Sequence, residues 1–342
     1  MNFKKSTFAI IVISIIALTG CQSQYMRSGK IYLQHKQPTK ALHEFQMELK
    51  TNPNNIQAIK NIADIHFNNE EYLQSYNMYV KVLDTAKKTN FKDKKILDET
   101  KKFKEASWVR IYKKATTAFK NNNFDVALET IKPLENFGQK LDKVYQLESI
   151  IYLKQKKDDK AITYLQKTFS LNNKNKAIAN QLAAMYFKKD NFDKAAEYYQ
   201  KVIQIDPKDV DAYFNLAITY RKMKKSDKVI STYEDIIKID PKNTDALNYL
   251  GYQYFTAKNY DKAITNLTKY CEIENNDADA LRILTFSYAK NKNYKKAVET
   301  GIIWHQVDPS DTVAVQMIVA NANMGKMYKI AKKYSKILKK MN

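Results

Sequence analysis

A pattern of residue types repeats every 34 residues along this chain, and it constrains the fold more than any other feature. Tyrosine recurs at this interval five times, and alanine follows nine residues later in four of the copies, with Val229 in the remaining one. A period of this length indicates one supersecondary unit stacked many times. The residues in phase are Tyr152, Tyr186, Tyr220, Tyr254 and Tyr288, then Ala161, Ala195, Ala263 and Ala297, and finally Pro207, Pro241 and Pro309.

The unit that starts at Lys176 carries the pattern most fully, in Leu182, Ala183, Tyr186, Ala195, Tyr199, Val202 and Pro207. These residues resemble the tetratricopeptide repeat, which has leucine at position 7, a small residue at 8, tyrosine at 11, alanine at 20, an aromatic residue at 24 and proline at 32. The resemblance covers nearly all of the chain after residue 21. It implies two antiparallel helices per unit and an all-α, right-handed solenoid of about nine helix-turn-helix repeats.

The physical basis of the pattern is helix packing, because neither helix of a unit can bury its apolar face alone. Position 8 is small because the two helices of a unit cross there, and proline at position 32 ends the second helix. We assign nine units in phase, of which the third is degenerate, with Lys114 at position 7, and the last is cut short. The units span 22–55, 56–89, 108–141, 142–175, 176–209, 210–243, 244–277, 278–311 and 312–342.

Two segments interrupt the period. Residues 90–107 form a helical insert between the N-terminal block of two repeats (21–89) and repeats three to eight (108–311), and we interpret it as a joint that lengthens the helix of the third unit. The partial repeat 312–342 ends in an apolar stripe that includes Ile330 and Tyr334, backed by lysines. A basic amphipathic helix of this kind can lie on a membrane surface, but a terminal repeat also needs a polar outer face, so capping is favoured.

The N-terminal segment has the three parts of an export signal. Lys4 and Lys5 give a positive start, an apolar run extends from Phe8 to Leu18, and Leu18-Thr19-Gly20-Cys21 follows. The run is too short for a transmembrane helix, which needs about 20 residues. The four residues resemble the lipobox of bacterial lipoproteins. The resemblance implies a signal peptide at 1–20 and lipid attachment at Cys21; an ordinary signal peptide or N-terminal anchor is the alternative.

Cysteine usage and charge exclude several classes of function. If Cys21 carries lipid, Cys271 has no partner for an intramolecular disulfide.

The formal net charge is +22, yet only four of the 58 basic residues are arginine. Nucleic-acid sites favour arginine because its planar fork matches phosphates and guanine edges. We therefore predict no nucleic-acid partner, and interpret most lysines as a solvated surface, the rest as contacts to anionic lipid or acidic partners.

No catalytic or metal-binding motif is present in the sequence. The four histidines lack zinc-ligand spacing, and there is neither a glycine-rich phosphate loop nor a Gly-x-Ser-x-Gly elbow. Cys271 has no adjacent base and is interpreted as an inert thiol. We therefore predict no enzyme activity, no catalytic residue, no metal and no cofactor.

Function then rests on a binding surface. The resemblance implies that the first helix of each unit lines a concave groove, with positions 2, 5, 9, 12 and 13 facing it; the predicted residues come from positions 5, 9 and 12. In units five to eight these positions collect aromatic, arginine and asparagine side chains, which favour protein interfaces and peptide backbones; some of the aromatic rings could instead be inter-repeat core. The predicted groove residues are Asn180, Phe187, Phe214, Arg221, Asn248, Tyr252, Phe255, Arg282 and Phe286.

These features together predict a lipid-anchored scaffold or adaptor in the bacterial cell envelope. It would bind envelope proteins or peptides through the groove and assist assembly of an envelope complex. Gln22 takes the place of the aspartate that retains lipoproteins in the inner membrane, which favours the outer membrane facing the periplasm. The alternatives are a type IV pilus biogenesis lipoprotein and a periplasmic binding module for an envelope polymer or a protease substrate.

Overall fold

The structure, a computed structural model, describes residues 22–341, so the predicted signal peptide and Cys21 lie outside the described residues. The described part consists of α-helices joined by short turns, with one 3₁₀ segment and no β-strand. The all-α prediction is confirmed. Within these residues, none of the helices combines the length and the apolar character that crossing a membrane needs. The chain divides into two compact units, one ending at Leu171 and the other beginning at Asn172.

The first unit contains four antiparallel helix pairs. The third pair departs from the others because its first helix is 27 residues long and its second only 8. The helices are α1 (Gln24–Gln34) with α2 (Pro38–Thr51), α3 (Ile56–Asn68) with α4 (Tyr72–Lys88), α5 (Lys94–Lys120) with α6 (Phe124–Ile131), and α7 (Leu141–Lys154) with α8 (Asp158–Leu171).

The second unit contains five pairs of nearly constant length, with first helices of 13 residues and second helices of 14. This regularity includes the last pair, which ends within two residues of the chain terminus. The helices are α9 (Lys176–Lys188) with α10 (Phe192–Ile205), α11 (Val210–Lys222) with α12 (Ser226–Ile239), α13 (Thr244–Thr256) with α14 (Tyr260–Ile273), α15 (Ala278–Lys290) with α16 (Tyr294–Val307), and α17 (Thr312–Met324) with α18 (Tyr328–Met341).

The turn inside each pair contains a residue in the left-handed backbone region, and it is never glycine. All nine residues occupy position 15 of the 34-residue unit, with φ between 55° and 61°. This conformation costs an L-residue about 1–2 kcal/mol, so each turn is slightly strained. The left-handed residue lets the chain reverse direction within a tight turn. The residues are Lys36, Glu70, Asn122, Lys156, Asp190, Lys224, Lys258, Lys292 and Lys326.

Side-chain caps begin many of the helices and recur with the same period. Their oxygens accept a hydrogen bond from a backbone N–H two or three residues further on, which satisfies one of the free donors at a helix start. The caps that recur in phase are Asn55, Asn175, Asp209, Asn243, Asp277 and Asp311 for first helices and Asn191, Asn259 and Asn293 for second helices.

The crossing of the two helices in a pair explains the small residue at position 8. A Cβ built on Gly251 would lie 2.4 Å from Cγ of Leu267, which occupies position 24 and is fully buried. The eighth pair reverses these sizes, with Thr285 at position 8 and Gly301 at position 24. In that pair the large buried side chain of the second helix is Trp304 at position 27, which is 1 % exposed. Paired positions therefore conserve the filled volume rather than a particular residue.

Several lysines have a structural role on the surface of the pairs. In five pairs, the ammonium group at position 19 lies over the ring of the tyrosine at position 11, at 4.7–5.6 Å from the ring centroid. This cation–π geometry accounts for part of the lysine content without any ligand. The pairs are Lys40 with Tyr32, Lys160 with Tyr152, Lys194 with Tyr186, Lys228 with Tyr220, and Lys262 with Tyr254.

Residues 94–107 of the insert form the first half of α5 and pack against the second pair. The Phe103 ring lies 5.2 Å from that of Phe67, Thr100 and Ser107 are fully buried, and Lys60 pairs with Glu99 at 3.4 Å. The segment lengthens the first helix of the third pair, and its interpretation as a joint stays a prediction. Its helix is part of the packed interior of the first unit.

The second helix of the third pair is cut short by Pro133. Because proline has no N–H to donate, α6 ends at Ile131 and the chain continues as a 3₁₀ segment, Lys132–Phe137, that ends at Gly138 with φ of 65°. Leu134 in this segment is fully buried, so the irregular stretch still contributes to the core.

An acidic residue is buried next to this segment. Glu148 lies on α7 at position 7, where the repeat usually has leucine, and is 1 % exposed. Its Oε2 has no hydrogen-bond partner among the described residues. Burial, and then the neighbouring Glu135 carboxylate, raise the pKa of Glu148 to about 8. Glu135 itself accepts a hydrogen bond from Tyr164 (3.3 Å) and pairs with Lys167 (3.6 Å).

The apolar stripe of α18 packs inward. Ala331 and Tyr334 are buried against α17, and Ile330, Ile337, Leu338 and Met341 are packed around them. The stripe is thus used by the protein's own core, as capping requires, and the exposed side chains of the helix are its lysines and Tyr328.

Candidate functional site

An open groove of about 610 Å³ lies within the second unit, between successive first helices. Three such helices, α11, α13 and α15, supply most of its walls, and α12 adds a tyrosine from the second-helix layer. Its lining consists of Phe214, Tyr233, Asp245, Asn248, Tyr249, Tyr252, Asp277, Asp279, Ala280, Arg282 and Ile283.

One wall of the groove is a run of aromatic rings in contact with each other. Phe214 meets Tyr233 edge-on at 5.7 Å between ring centroids, and Tyr233 stacks on Tyr249 at 4.1 Å. Tyr252 continues this wall from the next turn of α13 and is 53 % exposed. Stacked rings hold each other in place and present a rigid apolar surface that loses little conformational entropy on binding.

The opposite wall is polar and charged. Arg282 pairs with Asp279 at 2.6 Å, and both side chains remain largely exposed. Asp277 is already satisfied: its carboxylate accepts the Tyr270 hydroxyl at 2.9 Å and caps α15 through the Ala280 N–H at 3.0 Å. The Arg282 guanidinium and the exposed Asp245 carboxylate are therefore the groups best placed to meet a ligand.

Arg221 acts on the aromatic wall from α11. Burial raises the pKa values of Tyr233 and Tyr249, and the positive charge of Arg221 opposes that shift in both. The arginine side chain is exposed at the end of its helix. It therefore adds a second cation at the aromatic side of the groove.

The structure brings together a subset of the nine residues predicted to line a groove. Phe214, Asn248, Tyr252 and Arg282 line the same groove, and Arg221 lies close enough to its tyrosines to influence them. Asn180 lies on α9, half-buried and outside the groove lining.

The three remaining phenylalanines pack against their own pairs. Phe187 contacts Phe192 and Phe255 contacts Tyr260, each pair joining position 12 to position 17 across the internal turn. Phe286 packs near Trp304 at 6.3 Å. These rings stabilise the helix pairs and do not line the groove.

Sequence reasoning missed seven of the residues that line the groove, among them two tyrosines and three aspartates. Asp245 and Asp279 occupy position 2, which the repeat pattern already assigns to the groove side and which carries aspartate in three successive units. Tyr249 is at position 6, beside a predicted position. Tyr233 is at position 24, which the pattern assigns to the core, so nothing in the sequence alone identified it.

The described residues hold no group of three or more potential metal ligands. The Cys271 thiol is half-buried on α14, and burial, followed by the negative charge of Asp277, raises its pKa to about 12. A thiol with such a pKa stays protonated at neutral pH and is a poor nucleophile.

Comparison with known sequences supports this architecture. A family profile described as TPR repeat matches residues 183–224, and two described as tetratricopeptide repeat match residues 232–265 and residues 142–175 with 210–243. No sequence among the curated proteins matches the chain.

Among solved structures, similarity is found to MamA proteins. One crystal structure of MamA is 23 % identical over 48 % of this chain and 91 % of its own, with a TM-score of 0.39. A second is 24 % identical over 47 % and 94 %, with a TM-score of 0.37. MamA from Desulfovibrio magneticus RS-1 is 14 % identical over 48 % and 94 %, with a TM-score of 0.37.

Stacked helix pairs with a ligand-sized groove define a class of helical-repeat proteins, the interaction scaffolds, whose fold is typically non-enzymatic. The matched profiles and the repeat positions assign this chain within the class: it belongs to the tetratricopeptide repeat family. The solenoid predicted from the 34-residue period is confirmed, and the chain is a protein-interaction scaffold.

Proposed function

We propose that this protein is a lipid-anchored scaffold of the bacterial cell envelope, and that its groove binds an extended segment of a partner protein. The observation that supports binding in the groove is an open space of about 610 Å³ lined by the aromatic wall, by Asn248 on the same helix as Tyr249 and Tyr252, and by Arg282. Aromatic and arginine side chains provide most of the binding energy of typical interfaces, and asparagine can pair with a peptide backbone.

The partner site is tested by crosslinking followed by measured binding. A photo-reactive residue in place of Tyr252 should capture a specific partner in intact cells, whereas one at Val109 on α5, which is 47 % exposed, should not. With that partner purified, the double variant Tyr252→Ala/Arg282→Ala should weaken binding at least about tenfold, because interface tyrosines and arginines often cost more than 1 kcal/mol when truncated.

The matched control for the groove is the double variant Val109→Ala/Arg110→Ala, which also removes one exposed apolar side chain and one exposed arginine. It should bind the partner as the unmodified chain does. Equal affinity of both double variants for the partner would eliminate the groove as the binding site.

The anchoring part of the proposal rests on the Leu18-Thr19-Gly20-Cys21 sequence. We expect the mass of the mature N-terminus to correspond to Cys21 carrying diacylglycerol on its sulfur, and Cys21→Ser to release the protein from membranes. An unmodified Cys21 in the mature protein would contradict anchoring by lipid and leave the groove proposal intact.

A further inference from the structure

The solvent side of the last helix, α18, carries an uncompensated positive charge. Its 14 residues include no aspartate or glutamate, and none of its lysines forms an ion pair with a carboxylate of the described residues. We call this surface the lysine face; it consists of Lys329, Lys332, Lys333, Lys336, Lys339 and Lys340, all exposed. In other helices of the described part, several exposed lysines pair with an acid, as Lys262 does with Glu234 at 3.0 Å.

Capping explains the apolar side of α18 but not the lysine face. A cap needs a polar outer surface, which a mixture of charges would provide at lower electrostatic cost. Six like charges along a helix of about 21 Å repel one another, because neighbours on one face are closer than the screening length of about 8 Å at physiological salt. The arrangement becomes favourable when an anionic surface faces it.

An exposed tyrosine lies at the edge of the lysine face. In four other pairs the aromatic residue at position 17 packs against an aromatic residue at position 12, as Phe192 does against Phe187. In the last pair Asn323 occupies position 12, and Tyr328 at position 17 is 66 % exposed. On a helical projection Tyr328 is aligned with Lys332 and Lys339, so ring and charges share one side.

We propose that the lysine face, with Tyr328, docks on a membrane surface that carries anionic lipid headgroups. Lysine ammonium groups are compact charges that respond to a surface potential, whereas arginine, which forms paired hydrogen bonds with individual phosphates, is absent from the helix. Tyrosine is a favoured residue at the membrane–water interface. The apolar stripe stays packed on α17, so the contact is electrostatic and shallow. This surface is separate from the groove and goes beyond the proposed function.

The test is binding of the chain from Gln22 to Asn342, which contains every described helix and lacks Cys21, to lipid vesicles. We expect binding to vesicles of phosphatidylglycerol mixed with phosphatidylcholine, and none to pure phosphatidylcholine. The triple variant Lys332→Gln/Lys336→Gln/Lys339→Gln should lose about fivefold per lysine, on the order of 100-fold in all. Far-UV circular dichroism should be unchanged, because all three side chains are exposed.

A control variant separates the lysine face from net charge. Lys94→Gln/Lys95→Gln/Lys102→Gln on α5 removes the same charge from exposed positions and should bind the anionic vesicles within about fivefold of the parent chain. Tyr328→Ser should weaken vesicle binding and leave binding to soluble polyglutamate unchanged. Equal loss in both triple variants, or retained binding by the α18 variant, would overturn the proposal. So would tight binding to polyglutamate with none to vesicles, which would assign the face to an acidic polymer.

Discussion

Replacing Glu148 by leucine is expected to stabilise the first unit, by about 1–4 kcal/mol at pH 8. Glu148 is 1 % exposed at a position where the repeat pattern has leucine, and its Oε2 has no hydrogen-bond partner among the described residues. Leucine is close in volume and removes the buried acid together with its interactions with Glu135, which are a charge repulsion and a side-chain hydrogen bond. Glu135 keeps its contacts with Tyr164 and Lys167.

The pH dependence gives this prediction a definite sign. The pKa of Glu148 is about 8 in the folded chain and about 4.3 in an unfolded chain, so the folded state holds an extra proton between these values. Stability from this group is therefore fully present below about pH 4 and is lost as the pH rises towards 8. The gain on replacement by leucine should grow over the same window.

Urea unfolding at several pH values between 5 and 8 measures the effect. A Trp304→Phe background leaves Trp108, in the first unit, as the sole tryptophan reporter. Glu148→Gln serves as the control, since it removes the charge but keeps a polar group; it should flatten the pH dependence and stabilise less than leucine. An unchanged slope in both variants would show that Glu148 is not the titrating group.

Replacing Trp304 by alanine is expected to destabilise the second unit by about 3–5 kcal/mol. Trp304 is 1 % exposed and packs with Leu281, Ala314 and neighbouring side chains from three helices. Gly301, one turn earlier on the same helix, has no side chain that could relax into the cavity. The urea midpoint followed by far-UV circular dichroism should therefore fall sharply.

The neighbouring Ile303 provides the matched control. It lies on the same helix, is 43 % exposed, and its replacement by alanine should cost less than about 1 kcal/mol. Trp304→Phe should fall between the two, because the smaller ring leaves a smaller cavity. Similar losses for Trp304→Ala and Ile303→Ala would mean that the tryptophan does not hold the eighth pair together.

The helix pairs could be predicted because each repeat carries its own local signals in phase. Turn residues, caps and the small residue at position 8 recur at the same interval, so a weak signal in one unit is reinforced by the others. The exception is the third pair, where Pro133 shortens the second helix in a way that the repeat pattern alone does not indicate.

The groove was only partly predictable, because exposure of a ring depends on side chains from other units. Phe187 and Phe255 occupy a position that can face the groove. Their rings instead pack against the aromatic residues five positions later, Phe192 and Tyr260, at the turn within each pair. Tyr233 shows the reverse: a core position becomes part of the groove because Phe214 and Tyr249 pack on its ring.

The irregular third pair also has a consequence for how the chain opens. In a repeat stack, local unfolding begins where an element buries least and breaks its hydrogen-bond ladder, and only neighbouring repeats are affected at once. The eight-residue α6, the 3₁₀ segment after it and the unpartnered carboxylate oxygen of Glu148 all occur within residues 124–148. The side chains of this stretch still contribute to the core, so its irregular backbone is what sets it apart: we expect the amides of α6 and the 3₁₀ segment to exchange with solvent before those of the longer helices of the first unit.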